Sequence, residues 1–301
     1  MRGRGLLLAS VFTAIVVTVL TTVVLLRVEP GLSKAEAIKT GGLAGGAVVA
    51  LYALWLNDRR RRTDEARHEL ESDKAADERF ARSVELLGNE ADQVRVGALH
   101  ALAWLADSTP RYKQTVLDVL CAYLRRPFTD PSYAQRADNS DQVTAEDPLE
   151  ADRERQVRRT AQRLIRNSLP HGQNPDRKTY HLDLTGASLE YFRLSEGTRI
   201  GRLTARQTTF YGITRLSEMH ISEPALFSRA TFLGRVDLSG TQFEGGLSFQ
   251  ETTFHDEVAL KGASVGTFID LNTTPPKRQA GTLTITEGTD VKGVDSRWAL
   301  G

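Results

Sequence analysis

Hydrophobic and polar positions fall into three regimes along the chain. Leu6 to Leu26 is an uncharged run of 21 residues, the length an α-helix needs to cross roughly 30 Å of hydrocarbon. Thr40 to Leu56 is a second uncharged run, of 17 residues, at the short end of what can span, with Tyr52 and Trp55 near its interfacial end. Between them RVEPGLSKAEAIK carries Pro30 and Gly31, which suit a turn between antiparallel helices.

Positive charge close to the two runs sets their orientation. Arg2 and Arg4 precede the first, and Arg59, Arg60, Arg61 and Arg62 come after the second, against Arg27, Lys34 and Lys39 in the connector. The expectation is a two-span hairpin in the cell (inner) membrane, spans at about 6–26 and 40–56, both termini cytoplasmic. A cleaved signal peptide is the competing reading, but the first run is longer than an h-region and no A-x-A site comes after it. Gly41, Gly42, Gly45 and Gly46 form overlapping small-xxx-small pairs, which bring helices close within the hairpin or between two copies. The four arginines read first as a topology signal and second as a contact for anionic head groups.

The second regime has helical periodicity. Thr63 to Phe80 alternates charge sign among good helix formers and reads as a solvated spacer. Val84 and Leu87, then Val94, Ala98, Leu102 and Leu105, then Val116, Val119, Leu120 and Tyr123 fall on helix faces. Asp92 to Ala106 resembles a HEAT-type helical repeat, with an acidic cap, V-R and A-L-x-x-L-A. One copy is fewer than such helices need to bury a continuous face, so the segment is expected to dock on something else. Thr129 to Asp152, rich in Pro, Asp, Glu, Ser and Asn, reads as a linker. Gln156 to Leu169 is a basic amphipathic helix whose apolar face, Val157, Ala161, Leu164 and Ile165, is expected to cover the C-terminal repeat region.

In the third regime large apolar residues recur at Phe210, Leu216, Ile221, Phe227, Phe232, Leu238, Phe243, Phe249, Phe254, Leu260, Val265 and Leu271, with gaps of 6 and 5 in alternation. On a helix this spacing makes two faces, and on a continuous strand the odd eleven-residue period flips every other side chain outward. A chain that turns a corner between successive large residues points all of them at one axis, which is a solenoid. Small or β-branched residues stand two before many of these positions, and Gly212, Gly234, Gly240, Gly245, Gly246 and Gly262 suit tight turns. Leu184, Leu189 and Leu194 continue the pattern upstream at strict fives, whereas the register is poor from Glu196 to Thr209.

DLTGASL, ATFLG, VDLSGTQF and LSFQETTF resemble units of the pentapeptide-repeat family over Tyr180 to Leu271. The resemblance implies a right-handed quadrilateral β-helix with the central Leu or Phe inside, here about four coils, carried by a membrane-anchored bacterial protein. TLTITEGTDV after Pro275 and Pro276 alternates like a strand and is expected to close the open edge. The fold class is thus an α+β membrane protein. Its plan is a transmembrane hairpin (1–57), a cytoplasmic helical segment (58–128), a linker (129–155), a capping helix with lead-in (156–179), the β-helix (180–271) and a tail (272–301).

Composition narrows the function. Lys+Arg of 39 against Asp+Glu of 38 argues against a dedicated nucleic-acid binder, so no direct nucleic-acid binding is expected. The single Cys121 rules out an internal disulfide and any CxxC metal or redox site, and its apolar neighbours read it as a small buried hydrophobe. His100 reads as structural, and His171, His181, His220 and His255 fall on turns or outer faces without Cys or carboxylate partners at ligand spacing. With no P-loop, HExxH, dinucleotide fingerprint or nucleophile elbow, no catalytic, cofactor-binding or metal residue is assigned and no enzyme is expected.

What remains is a non-catalytic membrane-anchored scaffold presenting the rod to an unknown protein partner, its other partner being the lipid bilayer. The alternative implied by the resemblance is a DNA mimic that binds DNA gyrase. Residues 178–271 hold 9 Lys+Arg and 11 Asp+Glu, while mimicry wants a far more acidic face. A homo-oligomer joined through the glycine-paired span is the third reading.

Overall fold

The computed structural model describes residues 2–28, 34–128, 148–172, 178–293 and 298–300, in two compact units, Met1–Ala75 and Ala76–Gly301. The first unit holds α1 (Arg2–Val28) and most of α2 (Lys34–Leu86). The turn expected at Pro30 and Gly31 lies outside the described residues. Where α1 and α2 pack, glycine removes the obstacle: a Cβ on Gly41 would fall 2.1 Å from Thr22 Oγ1, and one on Gly45 would fall 2.0 Å from Thr18 Oγ1. Both threonine hydroxyls bond back into their own helix, Thr18 to the Ala14 carbonyl and Thr22 to the Thr18 carbonyl, each at 2.8 Å. Gly42 and Gly46 face away from α1, with nothing within 4 Å of a Cβ there. The small-xxx-small pairs therefore divide into one set used within the unit and one set exposed.

One helix among the described residues, Ile38–Leu86, is long and apolar enough to cross a membrane; Val11–Val24 is a shorter apolar stretch. Instead of stopping at the arginine run, α2 continues through it. Pairs four residues apart, Arg62 with Asp58 (3.0 Å) and Arg61 with Glu65 (2.8 Å), line its polar part and favour one uninterrupted helix over a separate spacer.

The second unit has one continuous core running from helices into a solenoid. α3 (Asp92–Ser108), a short 3₁₀ turn (Pro110–Tyr112), α4 (Lys113–Leu124) and α5 (Pro148–Ser168) supply the helical part. The linker expectation for 129–155 is corrected at its end: residues 148–155 are helical, while 129–147 lie outside the described residues. Proline suits the first helical turn, where its missing N–H is not needed. The Glu and Arg residues that looked like linker composition make tertiary bonds instead: Arg95 pairs with Glu154, and Arg155 with Glu190.

Among the described residues nineteen short strands then wind as β1 (Leu182–Asp183) through β19 (Asp290–Lys292), all paired in parallel, on four faces of six, four, five and four strands. That is about five turns, four of them within 180–271 and one more in the tail. Register from coil to coil is 22 residues over most of the length, as in Val236 opposite Val258 and Phe232 opposite Phe254.

Gaps of five close through one turn. The amide of Ala187 donates to Leu184 O, and Ala230, Thr241, Thr252 and Ala263 repeat the bond to Phe227, Leu238, Phe249 and Leu260. The third residue of these turns has positive φ: Gly186 (72°), Arg229 (59°), Gly240 (69°), Glu251 (54°) and Gly262 (74°). This is type II geometry. The sixth residue of the longer gaps falls on the intervening corners.

Two expectations for the rod change. Register is unbroken from 196 to 209, where Ile200 and Ala205 occupy the central positions, both fully buried. Here Leu203 fills the small position while Ala205 takes the large one, which hides the repeat from the sequence. The tail after Pro276 is a further coil and not an edge strand: β17 (Gln279–Ala280), β18 (Thr284–Ile285) and β19 extend three of the four faces. On the fourth face the ladder stops at β13 (Thr253–Phe254), where the next coil presents Pro275 and Pro276, which have no N–H to donate.

Candidate interaction surface

Inside the rod the chemistry is apolar and closed. Phe210, Phe232 and Phe254 stack at centroid distances of 4.5 and 5.4 Å, with planes 6° apart at each step. Phe227 and Phe249 form a second column (5.4 Å), which Trp298 ends by lying parallel to Phe249 at 6.4 Å. Burying each large side chain contributes on the order of 1.5–3 kcal/mol. Two of the threonines in the small position have their hydroxyls satisfied, Thr208 donating to Leu184 O and Thr252 to Phe227 O, both at 2.7 Å, whereas the buried hydroxyl of Thr214 has no partner among the described residues.

Both ends of the rod are closed by a glutamine that imitates a strand. Gln114 of α4 donates to His181 O and accepts from His181 N, both at 2.9 Å. Gln279 does the same to Ala299, at 2.8 and 3.0 Å. At the first coil Arg158, 2% exposed, reaches from α5 to the carbonyls of Leu124, Arg126 and Ser188. At these points the edge groups that would invite another chain are occupied.

The outer faces carry stacked ion pairs of mixed sign. Arg229 meets Glu251 at 2.8 Å, Arg202 meets Glu223 at 2.9 Å and Arg235 meets Glu257 at 3.5 Å. Two histidines expected to lack carboxylates have them across the coils: His220 lies 3.3 Å from Glu244, and His181 lies 3.8 Å from Glu223. Partners 24 and 42 residues away show only once the 22-residue coil is used to align the sequence. Each is a pair, and among the described residues no three His, Cys, Asp or Glu gather as a metal would need.

His100 is exposed on α3, His255 is exposed on the rod, and His171 Nδ1 lies 2.9 Å from Leu169 O. Cys121 is 1% exposed, and burial pushes its thiol up to about 12, the wrong direction for a nucleophile.

A feature that sequence reasoning missed is a groove of about 520 Å³ between α5 and the first coils. Arg159, Arg163 and Arg166 line it from α5, and Arg193 and Arg215 from the rod. Arg193 and Arg215 are backbone bridge partners on adjacent coils, which brings both to the same groove. The arginine spacing of four and three residues on the helix was a usable signal. The rod arginines could be added only by knowing which face α5 lies beside.

A four-faced parallel solenoid with a large apolar residue at each side has the architecture of a repeat protein. Residues 205–253 and 217–264 match the family model for pentapeptide repeats (9 copies), so this stretch of the rod is built of pentapeptide repeats. No curated protein and no solved structure gave a significant match to the chain.

Proposed function

We propose that the chain is a non-catalytic, membrane-anchored scaffold that presents its pentapeptide-repeat rod to a protein partner in the cytoplasm. The observation that carries this reading is the contrast between two exteriors. Helical residues of the first unit expose large apolar side chains, among them Phe12 (68%), Leu43 (75%) and Leu51 (67%), an arrangement suited to lipid. The rod buries its central Leu, Ile and Phe residues and shows mostly charged and polar side chains, with Tyr191, Ile213, Leu233 and Val291 the exposed large apolar ones among its described residues. In this reading α1 and the apolar part of α2 form the two-span hairpin, held by Gly41 and Gly45 against Thr22 and Thr18, with both termini on the arginine-rich cytoplasmic side. The mixed-sign ion pairs of the rod favour a protein surface as partner and lend nothing to the gyrase reading.

The test is fractionation with protease protection on the tagged full-length chain, then photo-cross-linking from Arg229 and Glu251. Carbonate-resistant membrane association, a C-terminal tag protected in intact cells and one dominant cross-linked protein are expected. Recovery in the soluble fraction, or a tag digested from outside, would overturn the anchor.

A further inference from the structure

The groove beside α5 is a site that stability does not explain. None of Arg159, Arg163, Arg166, Arg193 or Arg215 has a carboxylate within 4.0 Å among the described residues, although ion pairs are formed elsewhere on the same rod. The one carboxylate that lines the groove, Glu190, is already committed to Arg155 by two bonds of 2.7 and 2.5 Å. Burial, then the charges of Arg193 and Arg163, hold the Arg166 guanidinium below its ordinary value. Arg166 is half-buried and the other four are exposed, and five like charges around one groove repel one another, a cost that an anionic ligand repays.

Three further features say what kind of anion fits. Gln162 lines the groove, is 9% exposed, and its Oε1 is enclosed without a hydrogen-bond partner. An acceptor calls for an N–H or O–H donor, which a bare phosphate dianion lacks. Tyr191, 44% exposed, stands with φ 47°, a conformation that Gln207, Glu218, Arg229 and Glu251 also adopt along the rod. Its ring lies across Gly212, where a Cβ would come within 2.4 Å of the Tyr191 Cε1, so the ring is seated as a flat platform. Ile213, 40% exposed, adds apolar surface beside it. The volume is within the range that encloses small organic ligands.

We infer that this groove binds a nucleotide carrying two or more phosphate groups, with the arginines on the phosphates, Tyr191 under the base and Gln162 accepting from a base or sugar donor. Guanidinium groups bond phosphate oxygens in pairs and are less strongly hydrated than ammonium, which suits them to this task. The site does not rest on the scaffold reading, whose cross-linking positions, Arg229 and Glu251, lie outside the groove.

The experiment is equilibrium binding of ATP, ADP and pyrophosphate to the full-length chain in neutral phosphatidylcholine nanodiscs. ATP is expected to bind saturably at one site per chain, and Arg163→Gln or Arg193→Gln to weaken it about tenfold each. Tyr191→Ala and Gln162→Leu are expected to weaken ATP while leaving pyrophosphate unchanged, and Arg229→Gln to change neither. The thermal midpoints of the Arg163 and Arg193 variants should equal or exceed that of the parent, because repulsion is relieved. Four outcomes would overturn the proposal: no saturable nucleotide binding up to about 1 mM; equal loss in Arg229→Gln; pyrophosphate binding as tightly as ATP; or binding confined to phosphatidylglycerol vesicles.

Discussion

Thr252 gives its hydroxyl to the carbonyl of Phe227, 2.7 Å away and one coil earlier, at the same oxygen that accepts the turn-closing amide of Ala230. The bond ties one coil's small position to the corner of the coil before it. Replacing Thr252 by Val keeps the shape and removes the donor, and should cost about 1 kcal/mol of unfolding free energy. Thr252→Ser should keep most of it. Denaturant titration of the full chain in detergent decides the matter, and equal stability of the Val variant would mean the bond contributes nothing net.

Two glycines separate backbone conformation from backbone contact. Gly186 has φ 72° and open space around a Cβ, so Gly186→Ala should cost only about 1–2 kcal/mol for the left-handed conformation. Gly234 needs no special φ, yet a Cβ there would meet Gly212 O at 2.4 Å. Gly234→Ala should therefore be the more damaging of the two, because two coils must part to admit a methyl group. A larger loss of thermal midpoint for Gly186→Ala would contradict this ranking.

Cys121 should resist thiol reagents in the folded chain. Its thiol is raised to about 12 by burial, so almost no thiolate exists near pH 8 and no reagent reaches it. Labelling by iodoacetamide is expected only after denaturant is added, and rapid native labelling would count against the packing of α4.

Acid should loosen α4 from the first coil. Burial raises the Asp183 carboxyl, but hydrogen bonds from Thr185 and the charge of Arg125, 2.5 Å away, outweigh it and hold the group below its ordinary value. A depressed folded value gives stabilisation that is complete above about pH 4 and lost as pH falls through the folded value. Asp183→Asn should flatten the acid limb of the stability profile below about pH 4, and an unchanged limb would place the acid sensitivity elsewhere.

Trp298 seals the far end of the core, 4% exposed against Phe249 and Phe254. Trp298→Ala should cost about 3–5 kcal/mol and speed amide exchange in β17 and β18 ahead of the rest. Uniform exchange along the rod would mean the last coil is not separately held.

The rod was legible because one large apolar residue per side is a strict demand, and the alternation of five and six survives any choice of outward residue. It faded at Leu203 and Ala205, which exchange sizes within one corner, and at Pro275 and Pro276, which remove a face without ending the coil. The start of α5 was hidden by acidic and basic residues whose partners, such as Glu190 for Arg155, lie far along the chain. The groove was illegible for the same reason: its arginines come from two elements that only the fold places side by side. Likewise, Gln114 and Gln279 are ordinary polar residues until each is found paired with a strand-like backbone.

Because those two glutamines hold the ends, the number of coils between them is free to vary. Each coil repeats the register of the last, with Ala225 opposite Leu247 and Leu247 opposite Ile269. Duplicating residues 225–246 would lengthen the rod by about 4.8 Å, one strand spacing, while both clamps kept their partners. The molecule is in this sense a ruler, whose reach is set by counting coils.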